Sequence, residues 1–299
     1  MKKAVLIFAH KAPLQINILV QQLLYDADDM TDVYIHIDLN HNDIGRDLLT
    51  NDHVVLIKKN VPIIWGNDSM VKAMLISFSQ IIGTGIDYDY FVICTGQDLL
   101  VRKHFDEFLF KNEGKIYLDF YKDDHMMAKL ERGVPDFLCR YYKEKYHPLR
   151  MMRGVYLRAC QNGVVPRRKI RFDYSSTTFY HSFNWSAMPF EVLEYIVTFV
   201  NDNPGFLDLY YHTYLPEDGF LGTVIMNSKY RDQVKIKADG TSETIMYHPE
   251  LIDAHCQFLT INNVKEIEKS GCYFARKFDI ATDRVVVNYY LEMIKGKNA

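Results

Sequence analysis

The chain has 299 residues, 48% hydrophobic and 24% charged, with a net charge of −3. That balance is the balance of a folded globular protein; it excludes disorder and allows one large domain or two closely packed ones. The small net charge hides an imbalance: Arg140 to Arg171 holds ten Lys or Arg against one acid, Glu144, so this segment is +9 and the remainder −12.

Ala4 to His10 (AVLIFAH) is a continuous apolar run of buried-strand type. The opening MKKAVLIFAHKAPL is therefore expected to be a first strand and not a secretory signal, because the run ends at His10 without a small-residue cleavage pattern. Leu14 to Leu24 has helical spacing, and Val33 to Asp38 and Val54 to Ile57 are β-branched runs. Ser69 to Ile82 predicts a helix with Ser69 as N-cap, and Tyr90 to Gly96 predicts another buried strand. This β-α-β-β-α-β order implies an α/β fold, a mainly parallel Rossmann-like sheet flanked by helices. Ligands of such sheets lie beyond the strands' carboxyl ends, where His10, Lys11, His36, Asp38 and Gly96 to Asp98 fall.

Past Asp119 the pattern loosens through the basic segment and resumes at Phe183 to Met188. Helices are expected over Phe190 to Val200, from Asp218 to Asn227 and over Asp283 to Lys295. One continuous domain is expected, divided into residues 1–119, a basic insertion at 120–175 and residues 176–299. No apolar stretch approaches the roughly 20 residues of a membrane span. The five cysteines (Cys94, Cys139, Cys160, Cys256, Cys272) are odd in number and lack CxxC spacing, which disfavours a disulfide framework or zinc site and points to the cytoplasm. The two sequons, at Asn67 and Asn184, are then coincidental.

The chain has neither GxGxxG nor GxxxxGK[ST], so dinucleotide and P-loop chemistry lack support. Asp26-Ala27-Asp28 and Asp87-Tyr88-Asp89 precede strands instead of ending them; Asp98 alone ends one, and a single carboxylate is a poor Mg²⁺ site. Glu217 and Asp218 follow Pro216 at a helix start. Acids there stabilise the helix dipole by roughly 0.3–1 kcal/mol, so a capping role competes with a catalytic one.

Seven blocks then carry a resemblance: Phe8 to Gln15, Tyr34 to Asn40, Trp65 to Ala73, Tyr88 to Arg102, Phe183 to Val197, Leu215 to Ser228 and Cys272 to Asp283. In this order they are similar to the core-2/I-branching β-1,6-N-acetylglucosaminyltransferases, particularly the bacterial members, which are related to peptide O-xylosyltransferases. The resemblance implies an inverting, metal-independent glycosyltransferase of GT-A-like fold with no cofactor beyond its UDP-sugar donor. It puts the family's catalytic glutamate on Asp218, with Glu217 as the alternate because the two acids stand in swapped order. The family's diphosphate-binding lysine falls on Lys277; Arg276 beside it points to the opposite face if the segment is a strand. A second family arginine has no clear counterpart, the nearest residues being His248 and His255. Asp38 is expected at the uridine, His10 at the neighbouring strand end, Trp65 and Asp98 around the donor pocket, and Trp185 at the acceptor sugar.

The expected reaction moves N-acetylglucosamine from a UDP-sugar to a glycan or lipid-linked glycan during assembly of a surface polysaccharide. The basic segment, with Tyr141, Tyr142, Tyr146 and Tyr156, is expected to dock on the anionic inner face of the plasma membrane, Arg167, Arg168, Lys169 and Arg171 contributing. The rivals are a UDP-sugar-binding protein without turnover and a single-stranded nucleic-acid-binding protein. The second is opposed by the absence of a nucleic-acid motif.

Overall fold

In the computed structural model, which describes residues 1–27, 30–140, 146–249 and 257–296, every residue of β1 (Lys3–Ala9) is buried. Ala4, Leu6 and Phe8 enter one hydrophobic core, and Val5, Ile7 and Ala9 enter another. That period-two split is what a strand covered on both faces requires. There follow α1 (Pro13–Asp26), β2 (Thr31–Ile37), β3 (Val54–Leu56), α2 (Ser69–Ile82) and β4 (Tyr90–Thr95), in the predicted order. One detail differs. Asp68, not Ser69, holds the N-cap position of α2, because the Ser69 hydroxyl is taken by the preceding loop, accepting from Ile64 N at 2.8 Å and donating to Asn67 Oδ1 at 2.6 Å.

The chain continues through β5 (Leu99–Leu100), α3 (Phe105–Lys111), β6 (Tyr117–Lys122), α4 (Met126–Leu130), α5 (Pro148–Gln161), β7 (Tyr180–Pro189) and α6 (Phe190–Asp202). It ends with α7 (Glu217–Met226), β8 (Met246–Tyr247), α8 (Val264–Ser270), β9 (Phe274–Ala275) and α9 (Arg284–Ile294). The main sheet has the order β3-β2-β1-β4-β7-β6, and β5-β9-β8 form a small second sheet. β1 to β4 are mutually parallel, while β7 runs antiparallel to both neighbours. The fold is therefore the α/β, mainly parallel, GT-A-like arrangement expected.

The reversed direction of β7 positions the site. Its pairing with β4 begins at Ala187 opposite Val92, whereas its pairing with β6 extends back to Tyr180 opposite Lys122. The β6–β7 ribbon thus runs past the carboxyl end of β4, where the other strand ends converge.

The region past Asp119, where the sequence pattern loosens, contains the end of β6 and all of α4 and α5. Pro148 opens α5, and His147 caps it by accepting from Leu149 N at 3.2 Å. Part of the local positive charge is internal, at Arg153 and Arg168, and part is paired at the surface, at Arg167 and Arg171. Arg153 is 6% exposed and donates to Leu138 O. Arg168 donates to the carbonyls of Leu130, Leu209 and Tyr211. Arg167 pairs with Glu131 at 3.1 Å and Arg171 with Asp208 at 2.7 Å. Tyr141 and Tyr142 lie outside the described residues. Among the described residues no helix is long and apolar enough to cross a membrane.

Candidate active site

Alternation along β7 sends His181, Phe183 and Trp185 to one face. The His181 and Phe183 rings meet edge to face at 5.2 Å, and Phe183 stacks on Trp185 at 4.9 Å and 10°. At one end of this row, His181 Nε2 lies 3.8 Å from Asp218 Oδ2. At the other, the Arg276 guanidinium sits 3.7 Å from the Trp185 ring centroid, its Nε 3.6 Å from Asp98 Oδ1. A continuous row thus connects the first turn of α7 with the end of β4.

Two glycines let α7 pack closely, Gly222 against β7 and Gly219 against α4. A Cβ at Gly222 would lie 2.7 Å from Ser182 Cβ, and one at Gly219 would run into Met126 Sδ. Their absence allows Gly222 N to donate to Ser182 Oγ at 2.9 Å. The lead-in to α7 is strained, with Leu215 at a φ of 49°, a left-handed conformation that costs a non-glycine residue roughly 1–2 kcal/mol. Leu215 is held by donating to Gly66 O at 3.0 Å and by accepting from Lys129 Nζ at 3.4 Å. Such strain is tolerated where surrounding contacts over-determine the backbone.

The two acids differ in environment. Glu217 is 8% exposed, and burial, with Asp218 adding, pushes its carboxyl up to about 8. Asp218 is also raised by burial, opposed by Lys129 and His181, and keeps a quarter of its side chain exposed. Of such a pair, the better-compensated and more accessible member ionises first and the other retains its proton. His181 stacks on Tyr121 at 4.6 Å; burial lowers its pKa and the charge of Asp218 opposes the shift. A second carboxylate–imidazole contact lies nearby, with His248 Nε2 at 3.3 Å from Asp119 Oδ2 and its ring 5.0 Å from Phe183.

The predicted donor residues have varied surroundings. Asp38 Oδ1 accepts from both Asn40 N and Ile63 N at 2.9 Å. His36 is fully buried, with Nδ1 2.9 Å from Ser77 Oγ and Nε2 accepting from Val61 N. His10 is pushed down to about 4 by burial, with Lys11 and His41 adding, and also feels the charges of Asp38 and Lys277. Asp98 is completely buried and accepts from Thr95 N and Oγ1. Burial raises it, while Arg276 and the Thr95 bonds oppose. Lys277 is half-buried. Trp65 lies edge to face with Tyr214 at 5.8 Å, beside the lead-in to Glu217. Trp185, expected at the acceptor, is at the Arg276 end of the row, away from Asp218. His255 lies outside the described residues.

Sequence reading missed His181, Lys129 and Asp119; it placed Arg276 with Lys277 among the donor-binding residues, without its contacts to Asp98 and Trp185. His-x-Phe-x-Trp at period two was the available signal for His181; starting the strand at Phe183 cut it off.

A family model described as "Branch: Core-2/I-Branching enzyme" matches residues 4–248. No curated protein matches the chain. Similar solved structures include UDP-glucose pyrophosphorylase from Leishmania major as the S374F mutant in complex with UDP-glucose, at 10% identity and a TM-score of 0.35, over 81% of this chain and 68% of that one. The V402W mutant of the same enzyme matches at 10% identity and a TM-score of 0.34, over 68% of this chain. The chain spans 52%, about half, of that mutant's length.

Proposed function

The chain belongs to the core-2/I-branching enzyme family, a family of glycosyltransferases, and from that premise we propose that it transfers N-acetylglucosamine from UDP-N-acetylglucosamine to a glycan acceptor, with inversion and without a divalent metal. In this reading the acceptor hydroxyl attacks the anomeric carbon while Asp218 takes the hydroxyl proton. The bond to the diphosphate breaks on the opposite face, and UDP leaves with the bonding electron pair. A positioned base of this kind contributes roughly 10²–10⁴-fold.

The observation that carries the proposal is the carboxylate pair at the start of α7, lying at one end of a ring-lined row whose other end is a buried guanidinium. Asp218 is favoured over Glu217 because it is more accessible and faces Lys129 and His181, both of which favour its ionised form. Glu217 keeps its proton and leaves a single negative charge at the site. Arg276 and Lys277 would stabilise the departing diphosphate, the work a metal does in other transferases. The metal-free reading rests on Asp98: both its oxygens are engaged by Thr95 and one also faces Arg276, an arrangement a divalent cation would have to displace. The N-acetylglucosamine assignment rests on family resemblance alone.

The test is UDP release from a panel of UDP-sugars with candidate glycan acceptors, with and without EDTA, followed by proton NMR of the product's anomeric coupling. The expected result is release from UDP-N-acetylglucosamine that EDTA does not diminish, with inverted product. Turnover abolished by EDTA and restored by Mn²⁺ or Mg²⁺ would overturn the metal-free reading. Faster release from another UDP-sugar would replace the donor, and binding of UDP without turnover on any acceptor would leave a sugar-nucleotide-binding protein.

A further inference from the structure

We propose that the outer face of α5 is a docking surface for an anionic lipid bilayer, on which the helix lies flat. The proposal stands independently of the base and the donor.

The inward side of α5 is unambiguous. Arg153 and Cys160 are buried, and Leu149, Tyr156 and Leu157 pack on the small core of Val134, Leu138 and Cys139. A surface helix ordinarily sets polar residues on the opposite face. Here that face carries Met151, Met152 and Val155, 64%, 52% and 72% exposed. Met151, Val155 and Arg158, at spacings of four and three, form one stripe with the exposed Arg158 at its end. Tyr146 (84% exposed) and Val164 (74%) flank the helix. An apolar stripe of this kind exceeds the scattered single residues usual on a soluble surface.

Charge decides the occupant. Residues 146–171 include seven Lys or Arg and no Asp or Glu. Although Arg153 and Arg168 are engaged internally and Arg171 is paired with Asp208 at the surface, Arg158 and Lys169 are exposed. An apolar stripe beside exposed cations matches the boundary between acyl chains and anionic headgroups, with apolar side chains entering the first and cations meeting the second. A second copy of the chain fits less well, since a twofold contact would press two basic faces together. The helix is also fixed to the site: the Arg153 guanidinium lies over the Tyr214 ring at 4.7 Å, just ahead of Pro216 and the two acids. Docking through α5 would hold that lead-in near the membrane, where a lipid-linked acceptor resides.

The experiment is vesicle co-sedimentation of the full chain with phosphatidylcholine vesicles with and without phosphatidylglycerol, at low and high salt. Two variants accompany the wild type, Met151→Ser with Val155→Ser, and Arg158→Gln with Lys169→Gln. Far-UV circular dichroism and thermal unfolding check that these exposed substitutions leave the fold intact. Wild type is expected to bind phosphatidylglycerol vesicles and release at high salt. The charge variant should bind about 5-fold more weakly for each cation removed, and the apolar variant about tenfold or more. Both readouts are independent of turnover, so an inactive enzyme could still dock and an active one fail to. No sedimentation of wild type, equal binding to neutral and anionic vesicles, or equal binding by wild type and the apolar variant would overturn the proposal. A lipid-independent dimer that the apolar variant dissociates would do the same and assign the face to a second copy.

Discussion

At the ends of β2 and β4, His36, Asp38 and Asp98 are satisfied by their own surroundings, Gln97 Nε2 being buried without a partner. His36 has both ring nitrogens engaged, Asp38 accepts two backbone N–H groups, and Asp98 accepts two bonds from Thr95. Along β7, α7 and the segment after β9 the opposite holds. His181 Nδ1, Trp185 Nε1, Glu217 Oε2, and Nε and Nη1 of Arg276 are buried without a hydrogen-bond partner. Each such group costs about 1–3 kcal/mol when left unmade, so a cluster of them is a place where water or a ligand gains by supplying partners. The comparison separates a scaffold side, whose polar groups hold the loops in place, from the side that carries the proposed chemistry.

The largest expected effect that sharpens this contrast is Asp218→Asn, which should lower kcat by about 10²–10⁴-fold while UDP affinity, measured by calorimetry, stays unchanged. Full turnover in that variant, with loss in Glu217→Gln, would move the base to Glu217. Next, Lys277→Ala should weaken UDP binding by about 10- to 100-fold, the loss of one charge-assisted contact. An unchanged dissociation constant would return Lys277 to the scaffold side.

Stability gives the third prediction. Glu217 has a folded pKa near 8 against 4.5 for the free group, so the folded chain retains this proton where the unfolded chain has lost it. Its contribution is complete below 4.5 and is lost as pH rises, by about 1.4 kcal/mol for each pH unit up to the folded value. Glu217→Gln should remove that decline. Denaturant unfolding at pH 5.5 and 7.5 reads the change in slope, and parallel behaviour of variant and wild type would show that Glu217 ionises freely. The smallest effect is on the scaffold side: Ser77→Ala removes the partner of His36 Nδ1 and should cost about 1–3 kcal/mol of stability with kcat unchanged. A fall in kcat beyond about tenfold without loss of stability would break the comparison.

The alternation of strands and helices through Thr95 was legible because local periodicity is a property of neighbouring residues, and β1 and β4, buried on both faces, are apolar almost throughout. The acids at the start of α7 were legible for the same reason, as was their double suitability for capping and chemistry. α5 was not. Its sequence, PLRMMRGVYLRACQ, has apolar residues on both sides, and the side that faces the core includes Arg153, a residue type that composition places outside. Which stripe is buried depends on Leu138 and Tyr214, which lie outside the helix. The sequence by itself therefore determined the order of elements through Thr95 and the family, and placed two acids at a helix start, because each rests on short stretches of near neighbours in the chain. Only the tertiary structure decided that Arg276 meets Asp98 and Trp185, that His181 meets Asp218, and that Met151 and Val155 face outward, because burial and hydrogen-bond satisfaction depend on residues brought together from distant parts of the chain.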